Sequence, residues 1–208
     1  MEIRRDKYLN DLVIRKGNGM IKVVTGIRRC GKTYLVFDLF VRHLIESGVS
    51  EDHIITLALD DRANVRYRDV DALYDYLMER IGNDQGVYYV LLDEIQYAIT
   101  VKELRSKDEP PALYGVLNGL LHRRNVDVYV TGSNSKLLST DVMTEFRGRG
   151  DEVRIHPLTF AEFMQAFDGD RQEGWAEYVM YGGLPLVLSM RTPEQKASYL
   201  AGLFDEVY

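Results

Sequence analysis

The chain has 208 residues, 46% of them hydrophobic, and a formal net charge of -6 from 32 acidic and 26 basic side chains. That length holds one sizeable core, and the acidic balance argues against a protein that coats nucleic acid by bulk electrostatics. One cysteine makes no internal disulfide, the start MEIRRDKYLNDLV lacks the apolar core of a signal peptide, and no run nears the ~18 to 20 apolar residues of a membrane helix, so the cytoplasm is the expected compartment.

MIKVVTG (20–26) is a short apolar, β-branched run closed by glycine, as a buried strand requires. KTYLVFDLFVRHLIESG then places Leu35, Leu39 and Leu44 near helical spacing and stops at Gly48. Three further apolar runs, IITLALDD (54–61), GVYYVLLDE (86–94) and VDVYVTGSN (126–134), are separated by the helical patterns DVDALYDYLMERIG and ALYGVLNGLLHRRN, and DEVRIHP (151–157) reads as another strand. Strands alternating with helices predict a mostly parallel sheet covered on both faces. The polar stretch QYAITVKELRSKDEP, between Ile95 and Pro111, shows no clear period and reads as a loop insertion. Beyond Pro157 the pattern is helical through LTFAEFMQAF, EGWAEYVMYGG and PEQKASYLAGLFDEVY. The expected division is therefore an α/β core over 1–157 and a small helical segment over 158–208, and the stop within a helical pattern suggests a chain cut short.

Gly26, four residues, Gly31, Lys32 and Thr33 fit the phosphate-loop pattern GxxxxGK[ST] between a strand and a helix. Glycines let the backbone approach a polyphosphate, so that amide groups and the helix N-terminus surround it. Lys32 would reach the β and γ phosphates and the Thr33 hydroxyl would hold Mg2+. Ile27, Arg28, Arg29 and Cys30 fill the variable positions of the loop, where backbone amides act, and Tyr34 follows Thr33 into the helix. The two arginines read as solvated flanking charge in preference to phosphate ligands, and Cys30 as a small filler in preference to a low-pKa thiol.

VYYVLLDE ends an apolar strand in two carboxylates. Asp93 has the position of a metal-holding aspartate, and Glu94 that of a base polarising the attacking water. VDVYVTGSN puts small polar groups at a strand end, where Ser133 or Asn134 could bond the attacking water or the γ phosphate, although taken alone they read rather as a helix N-cap for the segment starting near Lys136. Arg147 and Arg149 flank Gly148 on a turn, placed either to neutralise transition-state charge, in cis or from a neighbouring subunit, or merely to be solvated. The four histidines are scattered without a CxxC or HExxH spacing, and no GxSxG elbow exists, so zinc sites and hydrolase triads have no support. Basic runs at 122–124 and at Arg62, Arg66 and Arg68 read as solvated surface, with DNA contact the minority reading.

The ordered set GIRRCGKT, VYYVLLDEIQ, VYVTGSN, FRGRGDEVRIHPLTFAEF and YGGLP resembles the prokaryotic AAA+-type ATPase family whose phosphate loop reads GxRRxGK[ST], from about Arg4 to beyond Pro185. The resemblance implies a three-layer α/β/α phosphate-loop fold with five strands in the order 5-1-4-3-2 and a helical lid in which GGLP ends the lid segment. It further implies ATP and Mg2+ at Gly31, Lys32, Thr33 and Asp93, Glu94 as catalytic glutamate, Ser133 or Asn134 as polar sensor, and Arg147 or Arg149 as arginine finger. Members usually continue into a C-terminal region absent from this sequence. ATP hydrolysis is the leading expectation, with homo-oligomers joined through a trans arginine and an unidentified protein partner. A nucleotide-dependent switch with negligible turnover is the alternative, and a phosphate-loop kinase a third reading that the paired Asp93 and Glu94 disfavour. No NKxD-like element for guanine is present, which favours ATP over GTP.

Overall fold

A computed structural model describes residues 2–82, 85–106, 109–132 and 148–207 of the chain. Strands β1 (Ile21–Gly26), β2 (Ile54–Ala58), β3 (Tyr88–Asp93), β4 (Val126–Thr131) and β5 (Gly150–Ile155) form one sheet in the order β2-β3-β4-β1-β5. All four pairings are parallel, so the sheet has the expected order read from its other edge. In β1 and β3 all six residues are buried, because each strand is flanked by two neighbours and covered on both faces.

Alternate residues of each strand enter opposite layers. One face carries Val23, Leu57, Val90, Leu92 and Val128 against Leu73 and Leu77 of α3 (Val70–Arg80) and Leu113 and Leu117 of α5 (Ala112–Leu121). The other carries Val24, Leu91, Tyr129 and Val153 against Leu12 of α1 (Asp6–Val13) and the helix that follows the phosphate loop. That helix is wound as a π-helix over Tyr34–Phe40 before continuing as α2 (Val41–Glu46), with Leu35, Val36, Leu39, Phe40 and Leu44 buried. Its apolar stripe is wider than the leucine spacing alone suggested.

The stretch after Ile95 is more ordered than the predicted loop. It contains a 3-10 turn, Ile95–Ala98, and a short helix, α4 (Val101–Arg105), closed by a capping box in which Thr100 and Glu103 bond each other's backbone amides. Ile95, Ala98 and Ile99 sit in the core, and the absence of a period hid a helix of fewer than two turns. After β5 come α6 (Phe160–Phe163), α7 (Arg171–Tyr181), a 3-10 turn at Pro185–Ser189 and α8 (Pro193–Val207). Gly183 anchors this helical segment: its amide carbonyl accepts from Leu158 N at 2.7 Å, and a Cβ there would stand 2.1 Å from Leu158 O. The GGLP turn therefore lies inside the helical segment and does not end it. Among the described residues no helix is long and apolar enough to cross a membrane.

Candidate functional site

With every strand parallel, the C-terminal ends of β1, β3 and β4 meet at one edge of the sheet, where open α/β sheets bind ligands. Gly26 ends β1 at φ 152°, and a Cβ there would lie 2.4 Å from Ile155 O, so only glycine lets the loop leave β1 this close to β5. Ile27, Arg28 and Arg29 face outward, and Cys30 turns inward and is fully buried. Burial pushes the Cys30 thiol up in spite of the Lys32 and Arg5 charges, which removes the low-pKa reading of this residue. Arg29 adopts φ 65° and is exposed, with its guanidinium 5.4 Å from the centre of the Tyr199 ring on α8.

Lys32 is only 4% exposed. Its ammonium donates to the carbonyls of Gly26 at 3.1 Å and Ile27 at 3.2 Å, folding the side chain over its own loop. The Thr33 hydroxyl donates to Asp93 Oδ2 at 2.6 Å, and the other Asp93 oxygen accepts from the Thr131 hydroxyl. Strand β4 separates β1 from β3, so Thr131 stands where it can join the two motifs. Its Oγ1 also accepts from Glu94 N at 3.2 Å. Desolvation raises the Asp93 pKa above the usual carboxylate value, and the two hydroxyl bonds offset only part of that rise.

Glu94, the first residue after β3, takes the left-handed conformation (φ 53°, ψ 52°), a backbone that costs a non-glycine residue about 1–3 kcal/mol and clusters at functional sites. Its Oε2 accepts from the Gln96 side-chain amide. Glu94, Lys32, Thr33 and Tyr34 line a cleft of about 530 Å3, whose opposite wall is Pro185 and Leu186 of the helical segment.

The structure thus brings together Gly26, Gly31, Lys32, Thr33, Asp93 and Glu94. Ser133, Asn134 and Arg147 lie outside the described residues. Arg149 stands at the other end of the sheet: it precedes β5, and its carbonyl accepts from Ile21 N, whereas the phosphate loop begins beyond Gly26 opposite Ile155. Six strand residues at roughly 3.3 Å each separate the two positions, so Arg149 is set away from the phosphate loop of its own chain. Among the other basic residues, Arg68 donates to Leu59 O and Asp60 O and covers the Tyr97 ring, and Arg66 covers Tyr67. These arginines bind the protein's own surface. Thr131 was among the small polar residues read at the end of VDVYVTGSN but was given no role, and Gln96 was not singled out; a threonine at a strand end beside a polar turn is a usable signal once the strand order is known.

Two neighbouring oxygen donors, a hydroxyl and a buried carboxylate, fit a hard divalent cation such as Mg2+. Replacing Asp93 by Asn keeps the shape and removes a buried charge, so the metal-free protein should become more stable by about 0.5–2 kcal/mol while Mg2+ ceases to stabilise it. Thermal melts with and without Mg2+ test this; a lower melting temperature for Asp93→Asn without metal would show the ionised carboxylate to be stabilising.

A parallel sheet with a Gly-Lys-Thr loop after its first strand and an aspartate facing that threonine defines a phosphate-loop NTPase fold. The chain belongs to the AAA domain family, which matches residues 18–164. It is 31% identical over 210 residues to an uncharacterized protein of Haemophilus influenzae and 25% identical over 222 residues to one of Methanocaldococcus jannaschii. Both alignments cover 99% of this chain but 49% and 45% of the relatives, so the chain spans about half their length. Among solved structures it is similar to a Walker-type ATPase of Pyrococcus abyssi (TM-score 0.58, 17% identity, 90% of this chain and 65% of that one). It is also similar to PCH-2 of C. elegans (TM-score 0.52, 16% identity, 85% and 46%). At these identities the structures share the fold.

Proposed function

We propose that this domain binds ATP with Mg2+ at the Gly26–Thr33 loop and hydrolyses it in the cytoplasm. The observation that carries the reading is the Thr33 hydroxyl set 2.6 Å from the Asp93 carboxylate at the mouth of a glycine loop, with Glu94 next in sequence lining the same cleft. Loop amides from Gly26 to Tyr34 would surround the phosphates, and Lys32 would leave its two carbonyls for the β and γ oxygens. Thr33 and Asp93 would hold Mg2+, which neutralises charge on the transferring phosphoryl group. Glu94, released from Gln96, would orient and polarise the attacking water. Catalysis is then mostly positioning and charge stabilisation. Ser133 or Asn134, which follow β4 in sequence, would contact the γ phosphate or water, and Arg147, in cis or from a neighbouring subunit, or Arg149, from a neighbouring subunit, would neutralise transition-state charge.

A switch with negligible turnover gains support from one arrangement: both Lys32 and Glu94 are engaged by the protein itself, as a resting state would need. Mg2+-ATP turnover per subunit, measured across protein concentration, separates the readings. A rate that rises with concentration supports hydrolysis with a trans arginine; tight ATP binding without turnover supports the switch. γ-phosphate label passed to an acceptor would make the protein a kinase instead. Lys32→Ala should weaken ATP binding about tenfold to a hundredfold, the scale of a lost charge-assisted bond; unchanged affinity by calorimetry would refute the phosphate-loop assignment.

A further inference from the structure

Arg5 precedes α1 and is 2% exposed, yet it belongs to none of the motifs above. Its guanidinium reaches three elements at once. Nη1 donates to Cys30 O of the phosphate loop at 3.0 Å, and Nη2 donates to His156 O, just past β5, at 2.7 Å. Nε lies 3.0 Å from Glu162 Oε1 on α6, an ionic contact off the hydrogen-bond line. Its planar face rests 4.6 Å from the centre of the Tyr8 ring. Glu162 is itself fixed, its Oε2 accepting from Thr159 N at 2.8 Å and from the Thr159 hydroxyl at 3.0 Å. A rigid fork with donors in several directions suits these acceptors, whereas a lysine ammonium is a single point on a flexible stem.

The Cys30 carbonyl is where this matters. In a planar trans peptide the C=O and the following N–H point in opposite directions, and the described residues contain no cis peptide. Holding Cys30 O toward Arg5 therefore turns Gly31 N–H away from Arg5, and Gly31 is one of the residues that line the cleft. Gly31 sits between Arg5 and Pro185: a Cβ on it would stand in ordinary contact, 3.6 Å from Arg5 Nη1 and 3.8 Å from Pro185 Cγ.

We propose that Arg5 is a positioning residue of the phosphate site: by holding the Cys30 carbonyl on its own side of the loop it aims the Gly31 amide at a bound polyphosphate, and through Glu162 it ties that loop to the helical segment. The proposal rests on the nucleotide reading above and adds to it a residue outside the loop that shapes the anion site. Touching no phosphate itself, Arg5 acts through the peptide it holds.

Inorganic pyrophosphate is the probe, because it reads the anion site without the nucleoside. Its binding is measured by calorimetry, beside thermal melts, for the wild type, Lys32→Ala, Arg5→Lys and the double variant Arg5→Met with Glu162→Met. The double variant removes both members of the buried pair, a change that similar systems tolerate well. Expected are a fold retained by the double variant and a loss of pyrophosphate affinity of about tenfold to a hundredfold in both Arg5 variants, the scale of one misaimed hydrogen bond to a charged group. Wild-type affinity in folded Arg5 variants, with Lys32→Ala still impaired, would overturn the positioning role and leave the nucleotide reading intact. Absence of pyrophosphate and ATP binding in the wild type would remove that reading and this one with it. Failure of both Arg5 variants to fold would assign Arg5 to holding the fold and equally overturn the proposal.

Discussion

Glu94→Gln is expected to lower steady-state ATP turnover by about 10²–10⁴-fold, the usual contribution of a positioned general base, while ATP affinity stays within a few fold. The substitution keeps the side-chain length and the strained backbone of Glu94 and removes only its charge and basicity. Lys32, Thr33 and Asp93, the groups argued to meet the nucleotide and its cation, are untouched. The cost should therefore fall on the chemical step, visible as a reduced kcat with little change in binding. Turnover equal to the wild type would remove Glu94 from the mechanism, and equal loss of binding would make it part of the binding surface.

The second large effect lies at the opposite end of the sheet. Lys22 on β1 is fully buried, and its ammonium pairs with the Asp127 carboxylate on β4 while donating to Met20 O at 2.8 Å. It also lies 4.8 Å from the centre of the Tyr129 ring. Asp127 in turn accepts from Gly17 N at 3.0 Å and from the Tyr129 hydroxyl at 3.1 Å. Burial draws the Lys22 pKa below the usual lysine value in spite of the Asp127 charge beside it. Lys22→Met leaves that carboxylate buried without its cation, so stability should fall by about 3–5 kcal/mol. In a chain of this size the melting temperature would drop by roughly 6–20 °C. Adding Asp127→Asn removes the stranded charge, keeps an acceptor for Gly17 and should recover most of the loss. Denaturant unfolding of the two single variants and the double variant measures the coupling; additive effects would show that the pair is not a unit. Because the network is remote from the phosphate loop, nucleotide affinity in the folded double variant should be unchanged.

Much of the candidate nucleotide site was legible because its parts are local in sequence. GIRRCGKT specifies a turn, a backbone approach and two side chains within eight consecutive positions, and VYYVLLDE specifies a buried strand with carboxylates at its exit. Apolar runs separated by helical periods likewise announced an α/β sheet, since burial on both faces leaves parallel strands continuously apolar. The stretch after Ile95 failed for the opposite reason. Its helix has five residues, too few for a period, and its stability comes from a cap and from core contacts of the preceding turn.

The chain's local chemistry therefore specified the class of fold, the phosphate loop and the identity of the paired carboxylates. Contacts between residues far apart in sequence were settled by folding alone: Thr131 reaching Asp93 across 38 positions, Arg5 reaching Cys30 across 25, and Arg149 ending on the edge away from the cleft. The physical reason is that residue spacing governs turns and periodicity, whereas strand order governs which distant ends share an edge, and that order is set by how the whole core packs.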